Sequence, residues 1–241
     1  MKKINYFLFF ILLTVNIIAQ NKPQMNVQTK NNGTIPIILE DIVDITFTTT
    51  FTCGTSTIDY GGKTYHTVQI GSQCWLKENL EIGDMIQSSI DMSDNGIIEK
   101  YCYDSNPANC GLYGGLYKWN EVMQYGTSAS TQGICPSGWH IPTKEEFDVL
   151  NTTVSGNSNA LKAVGQGTGS GLGTNTSGFS ALIAGYRQID GTFSNLGINT
   201  FMWSSTMGNQ PYRLWLQADD AVTHLDIDYE TYGMSVRCIK D

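Results

Sequence analysis

Cys135-Pro-Ser-Gly-Trp-His-Ile-Pro-Thr-Lys-Glu-Glu-Phe147 is the stretch on which the fold turns. Thr143-Lys-Glu-Glu146 is a capping box. The Thr143 hydroxyl accepts from the N–H three residues on, and the Glu146 side chain reaches back to the N-terminal N–H. Phe147 and Leu150 then mark the buried face of a helix that ends near Thr152. Trp139 reads as core. The run has a counterpart at the end of the chain, Gly233-Met-Ser-Val-Arg-Cys-Ile-Lys-Asp241. Each run reads as an ordered element, and each carries one cysteine. Together they predict a domain whose middle and end are stapled side by side.

The staple rests on the compartment, and the N-terminus speaks to that. Lys2 and Lys3 precede an apolar run from Ile4 to Ile18, broken only by Asn5, Thr14 and Asn16. Ala19-Gln20 comes next and the chain turns polar. This is the layout of a secretory signal peptide over 1–19, cleaved after Ala19. The run is shorter than the ~20 residues a spanning helix needs, so no membrane insertion is expected after cleavage. In an exported chain the six cysteines are read first as disulfides, before metal or catalysis. Cys102 and Cys110 enclose a short, readily turning loop and pair first. Cys135 and Cys238 pair second, which leaves Cys53 with Cys74.

The net charge is −8, with 22 acidic residues against 14 basic ones. Cleavage after Ala19 would remove two lysines and no acid. An acidic chain gains little from a phosphate backbone or an anionic membrane surface, so nucleic acid is not an expected partner.

Residues 20–52 differ in character from the rest of the chain. Met25 to Thr29 alternates apolar and polar residues, Asn31-Asn32-Gly33 is a turn signal, and Ile35 to Leu39 and Ile42 to Phe47 are β-rich. This segment reads as a short β-hairpin and then a Thr-rich connector, Thr46 to Thr52. From Cys53 to Asp241 the chain reads as one domain. Asp59 to Ile70 is a hairpin turning at Gly61-Gly62, and Trp75 points inward. Leu116 to Tyr125 has helical spacing. Gly156 to Gly178 is expected to be a long mobile loop. Ala181–Tyr186, Phe201–Ser205, Tyr212–Gln217 and Met234–Ile239 are expected strands. The sum is an α+β domain with two helices.

Motifs for chemistry fail on inspection. Gly62-Lys63-Thr64 would close a phosphate loop only with glycine at position 57, where Thr57 stands. Asp91-Met-Ser-Asp-Asn-Gly96 opens like a calcium loop, but its twelfth position is Cys102 rather than glutamate. His66, His140 and His224 lie far apart, with neither a zinc-protease motif nor a nucleophile elbow. No catalytic residue and no metal set is assigned. Asp226 and Asp228 alternate onto one strand face. Two readings stay open for them, a solvated face or an oxygen site for calcium, the one cofactor entertained. The five tryptophans are expected mostly in the core. Asn209, Tyr212, Arg213, Trp215 and Asp219 are the candidate ligand-binding residues, as a sugar-stacking platform with flanking polar groups.

Several runs then point to a family. Val68-Gln-Ile-Gly-Ser-Gln-Cys-Trp-Leu-Lys-Glu-Asn-Leu80, Tyr113-Gly-Gly-Leu-Tyr-Lys-Trp119, Cys135 to Thr143, Ser177 to Leu182, Gly185-Tyr-Arg187, Trp203-Ser-Ser205 and Ser235-Val-Arg-Cys238 resemble, in order, the Fibrobacter succinogenes major paralogous domain family. The segment 25–47 resembles the short β element that precedes such domains in secreted proteins of Bacteroidetes-type bacteria. The resemblance implies export and an extracellular or cell-surface location. More distantly, Ile141 to Phe147 and the closing run are similar to formylglycine-generating enzymes, which implies a C-type-lectin-like fold. That family's catalytic cysteine pair has no match here, and Trp215 lacks the Asn-Asp of calcium-dependent lectins.

The expectation is therefore a secreted or cell-surface, non-catalytic domain that binds a glycan or an extracellular protein. The rival readings are a structural or adhesion module without a small ligand and, third, a cysteine-dependent enzyme.

Overall fold

The computed structural model describes residues 24–28, 34–38 and 50–241. The predicted signal peptide, the Asn31-Asn32-Gly33 turn, the β-rich run 42–47 and residues 46–49 of the connector lie outside the described residues. The chain divides into two units, Met1–Thr50 and Phe51–Asp241. In the first, β1 (Gln24–Gln28) pairs antiparallel with β2 (Thr34–Ile38), Gln24 opposite Ile38.

The second unit begins with β3 (Thr57–Tyr60), which turns directly into β4 (Lys63–Ile70). Gly61 and Gly62 make the turn at φ 57° and 81°, the left-handed pair that a two-residue hairpin requires. β5 (Gln73–Leu76) pairs with β4, and β6 (Asp84–Met85) runs parallel to β7 (Glu99–Lys100). Two short helices come next. α1 (Pro107–Tyr113) has proline in its first turn, and the Asn106 side chain accepts from the Ala108 N–H at 3.0 Å. α2 (Trp119–Val122) is a single turn within the run whose spacing predicted a helix.

β8 (Trp139–His140) precedes α3 (Lys144–Thr153). The capping box is present: Thr143 Oγ1 accepts from the Glu146 N–H, and the Thr143 N–H donates to Glu146 Oε2 at 2.8 Å. α4 (Ser158–Leu161), β9 (Ala184–Arg187), β10 (Phe193–Leu196), β11 (Asn199–Met207), β12 (Pro211–Gln217), β13 (His224–Ile227) and β14 (Ile239–Lys240) complete the unit.

Two five-stranded sheets result, in the orders β3-β4-β5-β14-β8 and β10-β9-β11-β12-β13. The last strand lies between β5 and β8, with Ile239 opposite both Trp75 and His140. The middle and end of the domain are thus neighbours in one sheet, and the Cys135–Cys238 disulfide joins them. The other two disulfides are Cys102–Cys110, which the short spacing suggested, and Cys53–Cys74, the pair left over.

One buried cluster gathers Tyr65, Leu76, Trp119, Trp139, Trp203 and Val236 around the Cys135–Cys238 bond. Both fully buried indoles there have partners: Trp119 Nε1 donates to Ser204 O and Trp203 Nε1 to Tyr117 O, each at 2.8 Å. A second cluster packs α3 on the sheets. Trp75 stacks on Phe147 at 5.6 Å and meets Phe179 edge-on, with Leu150, Leu214 and Leu216 alongside.

The described residues are α+β and mostly strand, but they correct the helix count from two to four α-helices. α1 lies inside the small Cys102–Cys110 loop and beyond, where the asparagine cap and Pro107 start a turn that composition alone read as loop. The run 156–178 is likewise not an open loop. It holds α4 and a 3₁₀ turn at Gly169–Gly171. Fully buried Lys162 pins it to the end of β12, donating to Gln217 O and Asp220 O at 2.7 Å each.

Candidate functional site

Strand alternation and register decide which side chains share a face of the second sheet. Antiparallel partners point the same way. Phe201 of β11 lies opposite Trp215 of β12, which lies opposite His224 of β13. Trp203, Arg213 and Asp226 form the next rung on the same face. Tyr212, Leu214 and Leu216 point the other way.

The rings on the first face touch in sequence. Tyr229 meets Tyr232 edge-on at 5.8 Å, Tyr232 meets Tyr186 at 5.5 Å, and Tyr186 meets Phe201 at 5.2 Å. Phe201 stacks on Trp215 at 6.0 Å, and Trp215 lies 4.8 Å from the His224 ring. The row is graded in exposure. Phe201 is buried; Tyr186, Trp215, His224 and Tyr232 are half-buried; Tyr229 is 60% exposed. Burial raises the phenol pKa of Tyr186 and of Tyr232, so both stay neutral hydroxyls at physiological pH.

Polar groups hold the row in place. Trp215 Nε1 donates to Asn199 Oδ1 at 3.0 Å, which fixes the indole plane. The Arg213 guanidinium lies 4.6 Å from the Phe201 ring centre and 5.2 Å from that of Trp215. Its Nε donates to Asp228 Oδ2 at 2.7 Å, and Asp228 Oδ1 accepts from the Tyr229 N–H at 3.0 Å. That pair therefore anchors the segment carrying the two outer tyrosines. His224 Nε2 lies 3.0 Å from Asp220 Oδ2, and this bond, with the Val222 N–H, holds the Asp220 carboxyl below its ordinary pKa. The arrangement offers a half-buried aromatic edge flanked by hydroxyl, amide and carboxylate groups. It is suited to stacking and hydrogen bonding.

Of the five candidate residues, Arg213 and Trp215 lie together in this row. Tyr212 is on the opposite face, under the Lys144 ammonium at 5.6 Å. Asn209 is exposed in the β11–β12 turn, and Asp219 is exposed beyond the other end of β12. A seven-residue strand separates those two, roughly 20 Å at strand rise. Asp226 is exposed, whereas Asp228 is committed to Arg213. Tyr186, Phe201, His224, Tyr229 and Tyr232 join the site only through strand pairing and the fold of the 228–233 segment. The spacing of Tyr229 and Tyr232 beside a strand was the one local signal of an aromatic edge.

Elsewhere, His140 is held between two carboxylates, Nε2 2.9 Å from Glu146 Oε1 and Nδ1 2.7 Å from Asp241 Oδ1. All six cysteines are disulfide-bonded, so Cys135 offers His140 no thiolate. Among the described residues, no group of three or more His, Cys, Asp or Glu side chains is placed to hold a metal ion.

In comparison with known proteins, the Fibrobacter succinogenes major domain family matches residues 68–240. No curated protein and no solved structure matches the chain.

Proposed function

Because this chain belongs to the Fibrobacter succinogenes major domain family, we propose that residues 53–241 form an extracellular, non-catalytic binding domain for a glycan, with a C-type-lectin-like arrangement of its strands and loops. The observation that carries this reading is the half-exposed aromatic row from Tyr229 to Trp215. Sugar rings present C–H faces to aromatic surfaces and hydroxyls to the surrounding polar groups, and this row supplies both partners. Trp215 is the stacking anchor, because Asn199 and Arg213 fix its plane. Three disulfides support an extracellular setting. No helix among the described residues is long and apolar enough to cross a membrane.

The test is a glycan array and polysaccharide pull-down with the oxidised protein, with and without calcium. A Trp215→Ala variant is checked for an unchanged disulfide pattern and circular dichroism. Retention of one glycan class by the wild type, weakened at least about tenfold by the substitution, corresponds to about 1.4 kcal/mol and is the expected result. Absence of any retention above the unfolded protein, or retention that ignores Trp215, overturns it. Binding of whole cells or self-association without glycan dependence would favour an adhesion module instead.

A further inference from the structure

A second feature lies away from the aromatic row. A cleft of ≈ 350 Å³ is lined by Arg237, Asn79, Lys77, Lys63, Gly111 and Leu112, among others. Arg237 is its floor. The side chain is 1% exposed, and its guanidinium lies 4.3 Å from the Phe179 ring centre. Nη1 donates to the Phe179 carbonyl and Nη2 to Asn79 Oδ1 at 2.7 Å. Nε is buried with no hydrogen-bond partner.

The charge of Arg237 has no direct partner, and the Glu78 carboxylate in the cleft lining favours it only from beyond ion-pair distance. Burying a cation is costly without an opposite charge, and no carboxylate lies within ion-pair distance of Arg237 among the described residues. The acid lining the cleft is Glu78, and both its oxygens are engaged by His66: Oε2 accepts from the backbone N–H and Oε1 lies against Nδ1, each at 2.8 Å. Lys63 is paired with Glu81 at 2.9 Å, outside the lining. Lys77 is half-buried and forms no ion pair among the described residues. A buried charge with no direct ion-pair partner is poorly screened, and low-dielectric walls focus its field into the opening. The rim adds apolar surface, with Leu112 60% exposed.

From this geometry we propose that the cleft binds a carboxylate, seated over Arg237 with Lys77 at its side and with the body of the ligand against Leu112. The ligand supplies the direct counter-charge that Glu78, beyond ion-pair distance, does not. Two sources carry that chemistry, an acidic sugar and the free C-terminal residue of a polypeptide.

The experiment uses the full oxidised chain and ligand-observed NMR with two matched pairs, glucuronate against glucose and N-acetyl-leucine against its amide. The acids are expected to bind with Kd on the order of millimolar and the neutral partners at least about tenfold more weakly. The acid that binds more tightly identifies the source. Gly111→Trp is the blocking variant. A Cβ at Gly111 meets no atom within 4 Å, so the new side chain starts in open space at the cleft wall, and an unchanged circular dichroism spectrum and disulfide pattern check the fold. Lys77→Glu reverses the neighbouring charge and leaves the core untouched. Both variants are expected to abolish the shift, and Trp215→Ala is expected to leave it unchanged, which separates this site from the aromatic row. Equal binding of acid and neutral partner, inorganic phosphate binding as tightly as either acid, or binding that survives Gly111→Trp, overturns the proposal.

Discussion

His140 and Glu146 are joined across the start of α3, with Nε2 2.9 Å from Oε1, while the same carboxylate caps the helix at Thr143. One acid therefore serves the helix end and the β8 histidine together. The Glu146 bond raises the His140 pKa above its ordinary 6.5; burial opposes this and Asp241 assists. Burial alone would raise the Glu146 carboxyl, but the bonds from His140 and Thr143 hold it below 4.5. The signs come from linkage. The histidine contribution is complete below pH 6.5 and is lost as pH rises through the raised value. The glutamate contribution is complete above pH 4.5 and is lost as pH falls through the lowered one. Urea unfolding is expected to show the pair at full strength between those limits. His140→Gln should cost about 2 kcal/mol near pH 5.5, the scale of a hydrogen bond to a charged group, and clearly less near pH 8. A cost independent of pH would refute the assignment. Asp241 is 59% exposed on its side chain, so its share is small.

The disulfides should rank by the loop each closes. Cys135 and Cys238 are 103 residues apart, Cys102 and Cys110 only 8. Loop-closure entropy assigns about 4.7 kcal/mol to the first and about 2.5 to the second. Both sulfurs of the long loop are also fully buried in the main cluster. Paired Cys→Ala substitutions, compared by urea midpoint, should therefore cost clearly more for Cys135/Cys238. Equal losses would show that residual structure in the unfolded chain outweighs loop length.

Local signals were legible where one residue dictates its neighbours. Thr143 and Glu146 announced α3, Gly61-Gly62 announced the β3–β4 turn, and the short Cys102–Cys110 spacing announced a bond. What the sequence withheld is non-local. The contact between β9 and β11 is a parallel bridge at Gly185 and Thr200, and nothing in the alternation of either strand signals it. The same applies to the aromatic row. Trp215 and Arg213 could be named from one strand, but Phe201, His224 and Tyr186 come from three others. Tyr212 lies on the opposite face, because adjacent residues of a strand point to opposite sides.

Two glycines separate conformational strain from collision. Gly62 sits at φ +81° with open space where a Cβ would stand. Gly83 sits at φ +82°, but a Cβ there would fall well inside van der Waals contact with the Ile98 carbonyl oxygen. That carbonyl accepts from Asp84 N–H at 2.8 Å, beside the β6–β7 pairing. Gly62→Ala should cost about 1 kcal/mol, the left-handed penalty alone. Gly83→Ala should cost about 3 kcal/mol, because backbone must move. Thermal unfolding of both variants checks the difference, and matching losses would mean that the β6–β7 ribbon yields freely.

Glu121 is the buried acid whose replacement should help. It is 1% exposed, accepting from the Glu99 N–H at 3.0 Å and the Tyr125 hydroxyl at 2.8 Å. Burial raises its pKa, and the nearby Glu99 and Asp94 charges add to that, against the two hydrogen bonds. A carboxyl with a raised folded value is best tolerated when protonated. Its contribution is complete below pH 4.5 and is lost as pH rises through the folded value. Glu121→Gln keeps an acceptor for Glu99 and offers a donor to the Tyr125 oxygen, with no charge to bury. At pH 7 the variant should gain on the order of 1 kcal/mol, an ordinary mutational effect of unusual sign. The gain should shrink as pH falls through the raised folded value and approach zero below 4.5, where the wild-type group is protonated in both states. Urea titrations at the two pH values measure this directly. A loss at pH 7 would mean that the charge-assisted bonds to Glu99 and Tyr125 outweigh the cost of burial.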